Sequence, residues 1–361
     1  MDSVLRIAIF ILGLVISAST IFSAMETFVL PRSTQDYLTR FVFIGIRAIF
    51  SRLMKGTKTY KERDRILAFY SPVALLTLLP VWYILILIGY MLMFWALGKI
   101  SWVEAFRDSG SSLLTLGFAS IQGLPQTILT FSEATLGLLL VALLIAYLPT
   151  IYSAFSRRES TVTLLEVRAG NPPSALEMIR RYYRIHGLDQ LTEVWRNWEV
   201  WFADIEESHT SLPALVFFRS PQPDHSWVTA AAAVLNGAAL MESTVQFRSD
   251  AQAALCIRAG YLALRHIADN FSISYDPNPQ RGDSISISRA EYDLAVVELE
   301  NAGIPIKPDR ETAWLDFTGW RVNYDTVLLA LAELTMAPPA PWTGTRREKY
   351  LVPLVIGHSK S

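Results

Sequence analysis

Apolar and polar positions are distributed unevenly along the 361-residue chain, and three long apolar runs fall before residue 156. They are "IAIFILGLVISASTIFSA" at 7–24, "ILAFYSPVALLTLLPVWYILILIGYMLMFWAL" at 66–97 and "ATLGLLLVALLIAYLPTIYSAF" at 134–155. A helix needs roughly 20 apolar residues to cross about 30 Å of hydrocarbon, so each run predicts a membrane span. The middle run exceeds that length and holds Pro72 and Pro80, which predicts tilt or a first turn outside the hydrocarbon. "FVFIGIRAIFSRLM" at 41–54 is shorter and carries Arg47 at its centre. It reads as an amphipathic helix along the membrane interface in preference to a fourth span. The first run ends in small residues, as a secretory signal does, but Arg6 is offset by Asp2 and further spans follow. That predicts a retained anchor.

Basic residues set the expected orientation. Arg52, Lys55, Lys58, Lys61, Arg63 and Arg65 precede the second run against only Glu62 and Asp64, and Arg157 and Arg158 follow the third. Such flanks favour the cytoplasmic side. The chain is therefore expected to be a multi-pass protein of the plasma membrane, with residues 98–132 outside and everything after the third run cytoplasmic. The N-terminus joins the outer side if 41–54 does not cross.

Composition adds little. The chain is 52% apolar with a net charge of −1, which offers no electrostatic footprint for nucleic acid. The single cysteine, Cys256, cannot form an internal disulfide and reads as a core residue.

The segment between the second and third runs, "GKISWVEAFRDSGSSLLTLGFASIQGLPQTILTFSE", is too polar to span and too apolar for a solvated loop. Residues 102–114 predict a short helix with Ala105, Ser112 and Leu113 on one side, stopping between Thr115 and Gly117. Non-helical backbone at membrane depth survives only where protein or a water-filled cavity satisfies it. A short helix followed by an extended Thr-x-Gly-aromatic stretch meets that condition when four copies surround an axis, with carbonyls replacing a cation's hydration shell.

In this order of elements, residues 82–159 resemble the pore-loop potassium channel superfamily, over roughly a fifth of the chain. "WVEAF" opens the pore helix at Trp102, "TLGFA" stands as the filter, and an inner helix ends in "SRRE". The family filter is Thr-Val-Gly-Tyr-Gly, usually followed by Asp. Thr115, Leu116, Gly117, Phe118 and Ala119 match it by position, with Ser120 in the acidic place and Ser112 on the pore helix. Ala119 replaces a glycine used at positive φ, Phe118 lacks the hydroxyl that tethers the family's tyrosine, and Ser120 removes a charge. The resemblance implies a homotetramer in the lipid bilayer, conducting a monovalent cation, potassium in the family, with no other cofactor. On the inner helix, Gly137 and Ala142 are small, and Pro149 frees a backbone carbonyl. Gly137 and Pro149 are gate candidates, with a terminal kink as the equal alternative for Pro149. Glu133 either caps the helix start or attracts cations.

From Ser160 onward the pattern turns helical and soluble. Expected helices include a segment ending near Gly187, one carrying Trp195, Trp198, Trp201 and Phe202 as core or interface, and two rich in small residues. Another opens with the capping box Ser288 and Glu291, and a final long one covers "ETAWLDFTGWRVNYDTVLLALAEL". No dinucleotide fingerprint or P-loop is present. "HTSLPALVFFRSPQPDHSWVTAAAAVLNGAAL" is similar to stretches behind pore modules in bacterial channel-like proteins of undefined function. Glu206, Glu207, His209, Asp224 and His225 match no standard zinc spacing, and Ser208 and Ser226 lack a nucleophile elbow. The region reads as a proline-bounded packing loop.

The sequence thus predicts an all-α protein in three parts: an N-terminal membrane helix with the interfacial helix (1–65), a pore module (66–156) and a cytoplasmic α-helical domain (157–361). The expected function is a cation channel gated by the inner helix, with an unidentified ligand or protein acting on the cytoplasmic domain. A non-conducting membrane-anchored sensor or scaffold is the alternative, and a membrane-bound hydrolase a more distant one.

Overall fold

A computed structural model describes residues 2–30, 36–98, 101–120 and 122–343. Parts of two predicted segments, Lys99, Ile100 and Ile121 of the connection and the tail from 344, lie outside the described residues. The chain divides into two units, Met1–Gly56 with Phe69–Ser153 and Thr57–Ala68 with Ala154–Ser361. Among the described residues both are helical, with one isolated bridge between Val245 and Ile306.

The first unit contains α1 (Asp2–Phe28), α2 (Tyr37–Met54), α4 (Tyr70–Leu97), α5 (Trp102–Leu113) and the first part of α6 (Leu124–Ala169). Helices α1, α4 and α6 carry the three segments long and apolar enough to cross a membrane. Helix α1 lies antiparallel to α4. Arg6 donates to the carbonyl of Gly98 at 3.3 Å, and Trp82 Nε1 donates to Ser23 Oγ at 3.1 Å. The two backbones touch at Gly13 and Gly89, where a Cβ on Gly13 would sit 2.3 Å from the Gly89 carbonyl oxygen. Small residues permit this approach, and close backbone packing is what holds helices together where surrounding lipid is as apolar as leucine.

Helix α6 also runs antiparallel to α4, with Tyr90 against Ser132 and Tyr83 donating to the Gly137 carbonyl at 2.8 Å. Because α1 and α4 are antiparallel, the connection carrying α2 makes no net crossing from one end of the bundle to the other. That agrees with an interfacial α2, whose Phe43 and Phe50 rings meet Tyr70 edge-on.

The second unit is built from α3 (Tyr60–Leu67), the end of α6, and α7 (Ala175–Arg184), α8 (Leu191–Ser211), α9 (Trp227–Ser243), α10 (Ala251–Asn270), α11 (Arg289–Asn301), α12 (Arg310–Arg321) and α13 (Asp325–Thr335). Helix α9 is its axis, with nearly every residue buried from Trp227 to Ser243. Its run of alanines lets neighbouring helices approach. The aromatic face of α8 (Trp195, Trp198, Trp201, Phe202) is buried in this core. Cys256 is buried there too, and burial pushes its thiol above the ordinary range.

Two helices differ from expectation. The run at 66–97 is divided, since α3 ends at Leu67 and α4 starts at Tyr70, with the unit boundary between them. The expected final long helix breaks between Arg321 and Asp325 into α12 and α13. The break lets Arg321 Nη1 (2.5 Å) and the Tyr324 hydroxyl (3.1 Å) both donate to Asn236 Oδ1 on α9, while Arg321 also pairs with Asp325. A buried guanidinium is stable only when so partnered.

The glycine contact yields the first prediction. Gly13→Val or Gly89→Val should each destabilise the folded protein by about 1–3 kcal/mol through overpacking, read as a lower thermal unfolding midpoint in detergent. Gly45→Val, where a Cβ meets no atom within 4 Å, should leave it near the native value.

Candidate functional site

Helix α5 starts at a capping box: Ser101 Oγ accepts from the Glu104 amide, and the Glu104 carboxylate accepts from the Ser101 amide. Its buried residues are Ala105, Ser109, Ser111, Ser112 and Leu113, and all but Ser111 follow the i, i+4, i+7, i+8 stripe of an amphipathic helix. Trp102, at the first position, stacks on Trp95 of α4 at 4.7 Å.

The chain then folds back on the last turn of α5. The Thr115 amide donates to the Ser112 carbonyl at 3.0 Å, and those of Leu116 and Gly117 donate to the Ser111 carbonyl at 2.9 and 3.4 Å. Phe118 and Ala119 both donate to Ser111 Oγ at 3.1 Å. Positive φ at Thr115 (55°) and Gly117 (70°) turns successive amides to one side, the geometry of a backbone nest.

A trans peptide points its carbonyl opposite to its amide. With the amides of Leu116, Gly117, Phe118 and Ala119 turned to α5, the carbonyls of Thr115, Leu116, Gly117 and Phe118 are directed away from it. These residues are four of the five that match the family filter by position, and all four are exposed.

The structure adds several details to the sequence reading. Ser111 organises the loop; Ser112 Oγ turns back to the Asp108 carbonyl of its own helix at 2.8 Å. Helical periodicity places Ser112 on the stripe and Ser111 off it, so the residue that takes up the loop amides is the one the period does not mark. The strained position is Thr115, where a β-branched residue holds positive φ, and Ala119 is not among the positive-φ residues. Phe118 has a different link to α5, its ring lying 5.9 Å from the Arg107 guanidinium. Ser120 is exposed.

Gly137 is a packing glycine, since a Cβ there would sit 2.3 Å from the Leu113 carbonyl oxygen. Pro149 is exposed within a helix that runs from Leu124 to Ala169. Glu133 neither caps that helix nor faces solvent. It lies more than two turns in, fully buried, with Oε1 2.5 Å from Ser109 Oγ.

In the second unit, two arginines tie down elements that continue directly into α4 and α6. Arg219 bonds Asp64 and Tyr60 of α3, and the carbonyls of Thr335 (2.6 Å) and Met336 (3.0 Å). Arg158, one of the basic residues that follow the third apolar run, is fully buried. It donates to Glu159 at 2.8 Å and to the carbonyls of Leu215 and Phe218 at 3.0 and 2.7 Å. Only Arg157 of this pair is exposed, beside Asp204.

Arg158 Nη1 also lies 3.2 Å from His209 Nε2. A guanidinium only donates, so Nε2 accepts and Nδ1 carries the ring proton, facing Ser208 Oγ at 3.2 Å. A protonated Nδ1 cannot take a proton from Ser208, so this pair is not arranged as a nucleophile and its base. Glu206 pairs with His266, and His225 lies 3.2 Å from Glu166. Ser226 caps α9. Among the described residues, no three His, Cys, Asp or Glu side chains converge to hold a metal.

The described residues thus define an all-α protein with three helices long and apolar enough to cross a membrane. No protein-family model, curated protein or solved structure matches the chain.

Two predictions follow from these contacts. Ser111→Ala removes the acceptor of two part-buried amides, each hydrogen bond being worth about 0.5–1.5 kcal/mol net. Amide exchange at Phe118 and Ala119 should quicken by mass spectrometry while α4 and α6 keep their protection.

Burial, and secondarily the Arg158 charge, hold the His209 pKa well below its ordinary 6.5. The folded state therefore binds fewer protons than the unfolded one as pH falls below 6.5. The stabilisation is complete above that pH and declines below it, approaching about 1.4 kcal/mol per pH unit. Chemical denaturation at descending pH should show this slope, and His209→Gln, which can still accept from Arg158, should flatten it.

Proposed function

We propose that the protein is a tetrameric, potassium-channel-like cation channel, each chain lending one pore loop to a shared axis. The observation that carries this reading is the run of four carbonyls turned away from α5, on a loop joining two helices long enough to span a membrane. Cations shed water against the carbonyls of Thr115, Leu116, Gly117 and Phe118. Helix α6 lines the path beyond, and the chain sits multi-pass in the plasma membrane with its basic flanks, and so the second unit, in the cytoplasm. That unit includes both α3, which leads into α4, and the continuation of α6 beyond Ala154. Because Arg219 and Arg158 grip these two segments, a ligand or protein that shifts the helical unit would act on the gate through the chain itself.

One observation favours a second reading, a non-conducting anchored scaffold: the loop amides find all these partners within one chain, so the loop's shape does not require a second copy.

Purified protein in liposomes should pass potassium in preference to sodium. Gly117→Asp should abolish that flux, because the residue sits at positive φ and its side chain would stand beside the outward carbonyls. The particle mass in detergent should correspond to four chains. A monomer or dimer, or flux untouched by Gly117→Asp, would sink the channel reading.

A further inference from the structure

The hydrogen-bond pattern around Glu133 contains one proton too few for an ionised carboxylate. Ser109 Oγ lies 2.5 Å from Glu133 Oε1 and 3.1 Å from the Leu87 carbonyl oxygen. A carbonyl only accepts, an ionised carboxylate only accepts, and a serine hydroxyl has a single hydrogen. With Glu133 ionised, two acceptors would compete for that hydrogen, and the short contact to Oε1 would face the loser.

The other carboxyl oxygen, Oε2, is buried with no hydrogen-bond partner, and Glu133 has no ion pair among the described residues. An isolated buried carboxylate is so poorly solvated that the group takes up a proton instead. Ser132, next to Glu133 on α6, is paired with Tyr90 of α4 at 3.0 Å.

We infer that Glu133 is a neutral carboxylic acid whose proton, held on Oε1, is donated to Ser109, leaving the Ser109 hydrogen for the Leu87 carbonyl. The relay links α6 through α5 to α4. Ser109 stands two residues before Ser111, which holds the loop amides, so Glu133 acts as a positioning residue for the loop. Its consequence for ion passage rests on the channel reading; the protonation does not.

Infrared difference spectra of the full-length protein in lipid, native minus Glu133→Gln at neutral pH, test this directly. The expected result is loss of a protonated-carboxyl C=O band, with no loss of a carboxylate band. In Ser109→Ala the same band should move to higher frequency as the acid loses its acceptor. Glutamine supplies an N–H where the acid supplies its O–H. Glu133→Gln should therefore keep the slow amide exchange of Phe118 and Ala119, and Glu133→Leu should lose it. Disappearance of a carboxylate band, or equal exchange in the Gln and Leu variants, would overturn the inference. None of these measurements reads ion flux, so failure to conduct removes the proposed function and leaves this assignment standing.

Discussion

Ser111 supplies two oxygens, its carbonyl and its hydroxyl, and together they take up four successive amides of the loop after α5. The constraint behind this arrangement is that backbone amides left without helix partners at the end of α5 need other acceptors. Once the amides are spent on Ser111, planarity of the peptide bond sends the intervening carbonyls the other way. The strain accepted at Thr115 belongs to the same geometry, since a second residue at positive φ is needed to turn adjacent peptides to one side. Ser111 in turn is placed by what lies behind α5: Ser109 against Glu133 and Leu87, and the Leu113 carbonyl against Gly137.

The second unit solves a related problem with charge. Arg158, Arg219 and Arg321 are largely or wholly buried, and each is surrounded by carbonyl or carboxylate oxygens in a fixed fork. Removing one partner of such a group leaves an uncompensated charge, so these clusters define unique positions for the segments they hold. Arg158 also selects the tautomer of His209, which makes a buried imidazole dependent on a residue about fifty positions earlier.

Much of this fold is legible in the chain because it follows from local rules. Uncharged runs mark α1, α4 and α6, Ser101 and Glu104 mark the start of α5, and Ser288 and Glu291 mark the start of α11. Pro72, which cannot bond back to the Ala68 carbonyl, is the signal for the division between α3 and α4. Other features follow no local signal, and neither glycine nor proline separates α12 from α13. The burial of Arg158 has no sequence signal, because counting basic residues in a flank ignores which face of a helix is covered. Helical period marks Ser112 on α5, and only the path of the returning loop makes Ser111 the acceptor of its amides.

By itself the sequence determined the all-helical class, the presence of three long apolar helices, the amphipathic α2 and α5, and the position of the Thr-Leu-Gly-Phe-Ala stretch between two of those helices. These depend on hydropathy, helical period and capping, which act over a few residues. The tertiary structure decided which serine holds the loop, which way its carbonyls turn, that α1 and α4 are antiparallel so that α2 does not carry the chain across, and that Glu133 meets Ser109. Each of these is a hydrogen-bond or steric match between residues brought together by folding, and such matches leave no periodic trace in the chain.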